Sequence, residues 1–182
     1  AKARLTIPNL LLILVPRHPE RFQAVADLIS ARQLSYVRRS LQQAVHTDTQ
    51  VLLGDTMGEL MLWYQAADFI FIGGSLIERG GHNPLEAMCL GKPVISGPHV
   101  FNFAKAFAAL ERADAVRYAR DAEELAQCLL TFAAQPQETA ELARRGLVLY
   151  QQQGGAAVRT IDLLQQLWQP SRLQISAAEH VE

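Results

Sequence analysis

Several features that would assign a chain to a class at once are scarce in this sequence. It has two cysteines, Cys89 and Cys128, without the CxxC or Cys/His spacing of a metal site, so we expect buried free thiols rather than a disulfide. Its formal net charge of −1 provides no overall field for nucleic acid, so any anion site must be local. No cluster of acidic residues or histidines has the spacing of a cation site, so we expect no metal.

Long apolar runs are also scarce. No apolar stretch approaches the ~20 residues that span a bilayer, and we expect no signal peptide. We therefore expect a soluble fragment from a reducing cytoplasm. The 182 residues are 49% hydrophobic and 19% charged, which is enough apolar material for one core. We expect a single domain over residues 1–170 and a flexible tail over residues 171–182.

Short apolar segments alternate with helical patterns along the chain. Periodicity predicts strands at residues 10–15, 35–39, 51–53, 67–74, 92–98 and 116–119. It predicts helices at residues 19–32, 57–67, 84–90, 103–112, 121–134, 138–151 and 158–168. A capping box is predicted at the helix start with Thr56 and Glu59, and Asp121 and Glu124 are predicted to cap a later helix. Strands separated by helices indicate an α/β protein with a parallel sheet.

The segment from Gly80 to Glu86 combines glycines with the start of a helix. Asn83 is a preferred N-cap, Pro84 occupies the first helical position, and Glu86 completes a capping box. The first N–H groups of a helix have no intrahelical acceptor and carry the positive end of the dipole. Glycines upstream would let a phosphate reach them, so this segment predicts an anion site.

Two glycine-containing segments follow predicted strands. Residues 73–81 come after one buried strand, and residues 97–102 come after the next. In open α/β sheets, ligands bind outside the carboxyl ends of the strands. We therefore expect the two segments to line one crevice.

Four segments together resemble the carboxy-terminal half of the 3-deoxy-D-manno-oct-2-ulosonic acid (Kdo) transferases. They are VPRHPERF at residues 15–22, GDTMGEL at 54–60, FIGGS with GGHNPLE at 71–75 and 80–86, and GPH with NF at 97–99 and 102–103. The match spans roughly residues 10–167 in the same order. The resemblance implies the carboxy-terminal half of a GT-B fold, a Rossmann-like doubly wound parallel sheet whose first strand and helix are missing here.

The same resemblance implies a function. The family members are inverting glycosyltransferases that move Kdo from CMP-Kdo to lipid A precursor in lipopolysaccharide assembly, at the cytoplasmic face of the bacterial inner membrane. This chain would bind the donor without a metal or cofactor. The missing amino-terminal domain would supply the general base, the acceptor site and the contact with the membrane surface. We therefore expect no catalytic residue in this chain, an inactive isolated domain and no nucleic-acid partner.

A set of residues near the predicted carboxyl edge would contact the donor. They are Arg17, His18, Ser75, Arg79, Gly80, Gly81, His82, Asn83, Glu86, Gly97, Pro98, His99 and Asn102. Arg17 follows a strand, where its guanidinium can fork onto phosphate or carboxylate oxygens; the alternative is a salt bridge to Glu20. Glu86 would accept hydrogen bonds from the ribose hydroxyls in addition to capping its helix.

Three further side chains have open alternatives. Arg79 and His82 are candidates to bind the Kdo carboxylate, although Arg79 would also be stable as a solvated loop residue. His18 either donates to a phosphate or is a structural histidine.

Two other positions complicate this site. Arg38 and Arg39 end a predicted strand, and because adjacent side chains point in opposite directions, at most one would reach the same edge. Lys105 stands near the place where the family carries an acidic residue, which leaves the role of its loop open.

Two other functions remain compatible with the residues. The chain could be the donor domain of another GT-B glycosyltransferase or of a sugar-nucleotide epimerase, with a uridine nucleotide in place of CMP. It could also be a non-catalytic α/β module that binds a nucleotide or a protein. Binding confined to cytidine compounds would distinguish the first function from both alternatives.

Overall fold

Strands and helices alternate along the part of the chain that the computed structural model describes, residues 2–153 and residue 164. The strands are β1 (Leu12–Leu14), β2 (Tyr36–Arg38), β3 (Val51–Leu53), β4 (Ile70–Ile72), β5 (Val94–Ser96) and β6 (Val116–Tyr118). The α-helices are α1 (Phe22–Ala31), α2 (Leu60–Ala66), α3 (Leu85–Cys89), α4 (Ala104–Arg112), α5 (Ala122–Ala134) and α6 (Pro136–Gln153). Short 3₁₀-helices occupy Lys2–Leu5, Pro19–Arg21, Arg39–Leu41 and Phe101–Phe103. Each predicted strand is present, β3 with the predicted bounds and the others with narrower ones, and the predicted helices up to residue 151 are confirmed.

The strands form two three-stranded sheets in which every pair is parallel. β3 lies between β1 and β2, with Leu12 opposite Val51. β5 lies between β4 and β6, with Ile70 opposite Val94. The parallel α/β class is therefore confirmed. β1 and β4 each pair with a neighbour on one side, so the described strands do not form one continuous sheet. The absence of the family's first strand stays a prediction.

The second sheet is buried on both faces, as is usual for parallel strands. On one face, Ile70 and Val94 pack with residues of α3 and α4. On the other face, Ile95 packs with Phe132 of α5 and Leu142 of α6. Because Val94 and Ile95 are consecutive, their side chains point to opposite faces of β5. Helices on both faces give the doubly wound arrangement that the resemblance implies.

The first sheet is covered less completely. Ala26 and Ile29 of α1 pack against Val51 and Leu53 of the central strand β3. At the edge strand β1, by contrast, Leu12 is 53% exposed although the strand is wholly apolar. The buried part of this sheet is therefore its centre.

Local chemistry explains the starts of two helices. Asp121 accepts hydrogen bonds from the backbone N–H groups of Glu123 and Glu124 at the start of α5, which is the predicted cap. Pro136 is the first residue of α6, a position where its missing N–H costs nothing. One residue, Gln135, separates the end of α5 from the start of α6.

The cysteines are free thiols, as predicted, and both are half-buried. Burial raises the pKa of Cys128, whose sulfur lies 3.7 Å from the carbonyl oxygen of Tyr118. This thiol is therefore protonated at neutral pH.

Two predictions fall outside the described residues, namely the helix at residues 158–168 and the tail at residues 171–182. Ala1–Gln152 form one compact unit, and Gln153–Glu182 form a second, of which the structure describes Gln153 and Leu164. The domain border at residue 170 stays a prediction. Among the described helices, none combines the length and apolar character needed to cross a membrane.

Candidate functional site

The carboxyl ends of β1, β4 and β5 carry most of the candidate residues. Arg17 and His18 follow β1. Residues 73–84, the β4 loop, connect β4 to α3, and residues 97–103, the β5 loop, connect β5 to α4. These three segments border what we call the carboxyl-edge crevice.

Arg17 reaches from the end of β1 to His82 in the β4 loop. Its Nη1 atom lies 3.4 Å from Nδ1 of His82. Because a guanidinium can only donate, Nδ1 accepts and the ring proton lies on Nε2. Burial first, then the charges of Arg17 and His18, lower the pKa of His82 from its ordinary value of 6.5. His82 is therefore neutral at neutral pH and presents an N–H donor at Nε2.

His18 makes a separate contact, with an acidic side chain. Its Nδ1 atom is 3.8 Å from Oε1 of Glu20, and both side chains are exposed. The salt bridge between Arg17 and Glu20 that the sequence left open is not formed among the described residues. Arg17 is therefore held at the crevice by His82 and not by an acidic neighbour.

Ser75 joins the β4 loop to the β5 loop. Its hydroxyl is buried, donates to the carbonyl oxygen of Ile72 at 2.5 Å and accepts from the N–H of Gly97 at 2.7 Å. Its carbonyl oxygen accepts from the N–H of His99 at 3.0 Å. A Cβ on Gly97 would lie 2.2 Å from that oxygen, so this position requires glycine. We therefore expect Ser75 to shape the crevice rather than to touch a ligand with its hydroxyl.

Asn102 fastens the two loops from the other side. Its side-chain amide donates to the carbonyl oxygens of Arg79 at 2.9 Å and Gly81 at 3.4 Å. Its backbone N–H donates to the carbonyl oxygen of Gly80 at 3.1 Å. A Cβ on Gly80, whose φ is +80°, would lie 2.5 Å from the Cγ atom of Asn102. The loops thus approach so closely that a side chain at Gly80 would collide.

The backbone of the β4 loop is bonded to itself. The N–H of Gly81 donates to the carbonyl oxygen of Gly74 at 3.0 Å, and the N–H of His82 donates to that of Gly73 at 3.2 Å. In this conformation the N–H groups of Gly81 and His82 already have acceptors, so neither is free for a phosphate. The contact of Gly81 with the donor stays a prediction.

The capping box predicted at α3 is not formed as predicted, because the helix begins at Leu85 and its N-cap residue is Pro84, not Asn83. Oδ1 of Asn83 accepts from the N–H of Leu85, the first residue of α3, at 3.1 Å. Among the described residues, the Glu86 carboxylate accepts no backbone N–H in return. The Glu86 charge acts on two neighbouring groups. It partly offsets the lowering of the His82 pKa. The pKa of Tyr64 is raised to about 12, mainly by burial and in addition by the Glu86 charge. The Glu86 carboxylate therefore remains available to hydroxyl donors.

A charge network at the end of β3 was not anticipated from the sequence. The side chain of Asp55 is fully buried and accepts from the N–H and Oγ of Ser40 at 2.8 and 2.6 Å and from Nε of Arg38 at 2.7 Å. Burial alone would raise the pKa of Asp55, but these hydrogen bonds outweigh it and lower the pKa below 3.8. The available signal was an acidic residue directly after a buried strand and a glycine.

A second ion pair lies at the start of α2, where the sequence predicts a capping box. Nη2 of Arg39 lies 2.8 Å from Oε1 of Glu59, and the hydroxyl of Thr56 also donates to this carboxylate. The predicted capping box of Thr56 and Glu59 is wrong, because the carboxylate binds side chains and the helix begins at Leu60. Arg38 and Arg39 both have carboxylate partners, so neither offers a free charge to a ligand.

The remaining candidates lie at the mouth of the crevice. Arg79 and Pro98 are exposed, and His99 is half-buried. Arg79 has no ion-pair partner among the described residues, so its charge faces solvent. Within the same residues, no group of three or more histidines, cysteines or acidic side chains is placed to hold a metal ion.

Comparisons with known proteins agree with the sequence resemblance. The family model for glycosyl transferases group 1 matches residues 10–147. The C-terminal CMP-Kdo binding domain of WaaA from Acinetobacter baumannii is 40% identical and superposes with a TM-score of 0.78, over 82% of this chain and 80% of that chain. The 3-deoxy-D-manno-octulosonic acid transferases of Haemophilus influenzae and Bordetella pertussis are 43% and 39% identical over 158 and 165 residues. The resemblance drawn from the four segments is thereby confirmed.

The two transferases are much longer than this chain. The matches cover 86% and 89% of this chain but 37% and 38% of the relatives. The chain therefore spans less than two-fifths of their length.

Proposed function

Because the chain belongs to the glycosyl transferases group 1 family, we propose that its carboxyl-edge crevice binds CMP-Kdo as the donor domain of a Kdo transferase. The contact between Arg17 and His82 carries this proposal. It places a guanidinium 3.4 Å from Nδ1 of an imidazole whose Nε2 presents an N–H donor, between loops that leave no room for side chains at Gly80 and Gly97. The similarity to a CMP-Kdo binding domain and to two Kdo transferases supports it.

Each part of the donor would meet a different group. The phosphate would accept from Arg17 and from Nε2 of His82, since charge-assisted hydrogen bonds are the strong ones for an anion. The exposed guanidinium of Arg79 would pair with the Kdo carboxylate at the mouth. The Glu86 carboxylate would accept from the ribose hydroxyls.

The reaction would be a displacement with inversion at the anomeric carbon. The bond from that carbon to the phosphate oxygen breaks, CMP leaves with the electron pair, and a hydroxyl of lipid A precursor forms the new bond from the opposite face. Arg17 would stabilise the charge that grows on the phosphate without a metal ion or cofactor. The hydroxyl proton passes to a base that we place in the amino-terminal domain of the full-length protein, so this domain alone would not turn over.

The full-length protein would work at the cytoplasmic face of the bacterial inner membrane. Its amino-terminal domain would hold the acceptor and contact the membrane surface. Nucleic acid is not a partner in this proposal, because the chain has a net charge of −1.

Titration calorimetry with CMP, CMP-Kdo and UDP-sugars tests the donor assignment. We expect heat for the cytidine compounds alone, with affinities that EDTA and magnesium leave unchanged. Binding of UDP-sugars would indicate another GT-B glycosyltransferase or an epimerase. Absence of binding by every nucleotide would contradict the proposal and favour a non-catalytic module.

A further inference from the structure

The segment that carries Arg17 is bonded at its start to the loop after β3. It consists of residues 15–21 and connects β1 to α1. Directly before it, the carbonyl oxygen of Leu14 accepts from the N–H of Gly54 at 2.9 Å. A Cβ on Gly54 would lie 3.1 Å from Cγ2 of Val15, so the two stretches of chain are in close contact here. The position of the first residues of the segment therefore depends on where Gly54 lies.

The other end of the segment is bonded to β2. Gln23 is the second residue of α1, and its Oε1 atom accepts from Nη1 of Arg38 at 2.9 Å. Arg38 is the last residue of β2. Because Nε of the same guanidinium donates to Oδ2 of Asp55 at 2.7 Å, one planar group joins Gln23 to Asp55. The start of α1 is thereby also fixed to the loop after β3.

Asp55 is the residue at which the two connections meet. It directly follows Gly54, and its side chain is fully buried. Its carboxylate also accepts two hydrogen bonds from Ser40, one from the backbone N–H and one from the hydroxyl. A buried polar network whose acceptors are bonded is rigid. The carboxylate therefore fixes the loop that contains Gly54 and the guanidinium of Arg38 relative to each other.

We propose that Asp55, Arg38 and Gln23 are positioning residues for donor binding. Together they hold the segment around Arg17, so that its guanidinium stays at the carboxyl-edge crevice. The Arg17 side chain contacts His82 directly, whereas the network acts on the backbone before and after it. Small displacements are costly, because a hydrogen bond weakens steeply as its angle departs from linearity. The inference rests on the proposed function, in which Arg17 binds the phosphate.

Gln23→Ala tests the network at an exposed position, where the substitution should not unfold the chain. It removes the acceptor for Arg38 and leaves Arg17 in place. We expect CMP binding, measured by titration calorimetry, to weaken by about threefold to tenfold, the scale of one hydrogen bond, with a nearly constant melting temperature. Gln23→Glu keeps an acceptor for Arg38, although it too loses the donor to Asp27, and should bind CMP almost as tightly as the wild type.

Two further variants bracket this result. Arg38→Lys keeps a positive charge for Asp55, but an ammonium does not reproduce the planar fork that also donates to Gln23, so we expect a loss like that of Gln23→Ala. Gln127→Ala is the matched control, because it makes the same change at an exposed position of α5. It should leave CMP binding unchanged.

A double-mutant cycle with Arg17 separates positioning from a general effect on the site. In an Arg17→Ala background, Gln23→Ala should cause no further loss of CMP affinity, because no guanidinium is left to position. Equal losses in both backgrounds would overturn the proposal, as would wild-type affinity of Gln23→Ala when Arg17→Ala binds weakly. Wild-type affinity of Arg17→Ala alone would instead contradict the proposed phosphate contact, and the positioning role with it.

Discussion

The loops that follow the first sheet and the loops that follow the second sheet are held by different forces. After β2 and β3, charged groups close on one another: Asp55 binds Arg38 and Ser40, and Glu59 binds Arg39. After β4 and β5, the connections come from neutral groups and from close backbone contact at glycines.

The difference separates charges that hold the fold from charges that remain for a ligand. In the loops after β2 and β3, each arginine faces a carboxylate within 2.8 Å, which leaves little field outside. In the second region neutral groups join the loops, and Arg79 has no ion-pair partner among the described residues. Arg17 contacts a neutral histidine instead of an acid. A crevice that must attract an anion therefore obtains its rigidity from groups that do not compete with the anion.

The largest effect is expected where backbone contact replaces charge. Gly97→Ala would put a Cβ 2.2 Å from the carbonyl oxygen of Ser75, and a backbone atom cannot move aside cheaply. We expect a loss of about 3 kcal/mol or more in the free energy of unfolding, measured by urea denaturation. Gly146→Ala in α6, whose Cβ would meet its neighbours at 3.9 Å, is the control and should gain up to about 1 kcal/mol. Equal stabilities of the two variants would show that the loops are not in close contact.

The charged region should respond next. Asp55→Asn removes the charge that Arg38 and Ser40 surround, and we expect a loss of about 2–4 kcal/mol in the free energy of unfolding. Glu59→Gln is the matched control, because its pair with Arg39 is partly exposed and should contribute about 1 kcal/mol or less.

The same carboxylate gives this region a pH dependence. The pKa of Asp55 is lowered by folding, so its stabilisation is complete above the unfolded value of 3.8 and is lost as the pH falls through the folded value. Asp55→Asn should therefore be less sensitive to acid than the wild type over that range. Parallel acid-unfolding curves for the two proteins would contradict this assignment.

Arg17 tests the free charge of the crevice. Arg17→Ala should weaken CMP binding by about 1.5–3 kcal/mol, the scale of a charge-assisted hydrogen bond, while the melting temperature stays nearly constant. Calorimetric titration measures the first quantity and thermal denaturation the second, with Arg32→Ala on the far end of α1 as the control. A fall in stability with intact CMP affinity would make Arg17 a structural residue.

The smallest effect is expected at the start of α3. Glu86→Gln should weaken CMP binding by roughly 1 kcal/mol, because a neutral amide is a poorer acceptor for ribose hydroxyls, and should leave stability unchanged. Asn83→Ala should instead cost about 0.5–2 kcal/mol of stability, since it removes the acceptor for the N–H of Leu85.

A ligand control isolates the ribose contact. 2′-Deoxy-CMP, which lacks the ribose diol, should bind the wild type and Glu86→Gln with more nearly equal affinity. Equal binding of CMP itself to both proteins would assign the ribose to another residue.

The order of strands and helices followed from the sequence because apolar periodicity is a local signal. β5 is predicted by its apolar run between Lys92 and Gly97, and the cap of α5 by Asp121, because the groups involved lie within a few residues. The break in the sheet was not predicted from periodicity, since pairing joins residues that are distant in the chain. The predicted capping box at α2 was wrong for a similar reason. Arg39 lies twenty residues before Glu59 and binds the carboxylate that the local pattern assigned to a cap.

The site was predicted as a list of positions and not as a set of contacts. Arg17 and Glu86 followed from their places at strand and helix ends. The burial of Ser75 and the hydrogen bonds of Asn102 to the β4 loop were not predicted. They depend on contacts between residues more than twenty positions apart in the chain. Asp55 was missed for a similar reason, because its partners, Arg38 at the end of β2 and Ser40 just after it, lie seventeen and fifteen residues earlier in the chain.

The one-sided pairing of β1 and β4 has a consequence for how the molecule opens. Amide hydrogens of β3 and β5 lie between two bonded neighbours, whereas β1 and β4 each have one unpaired edge. Deuterium should therefore enter the edge strands through small fluctuations, and the central strands only through larger openings of their own sheets. Since no ladder bond joins the two sheets within residues 2–153, hydrogen exchange in β3 and in β5 should give two separate opening free energies instead of one.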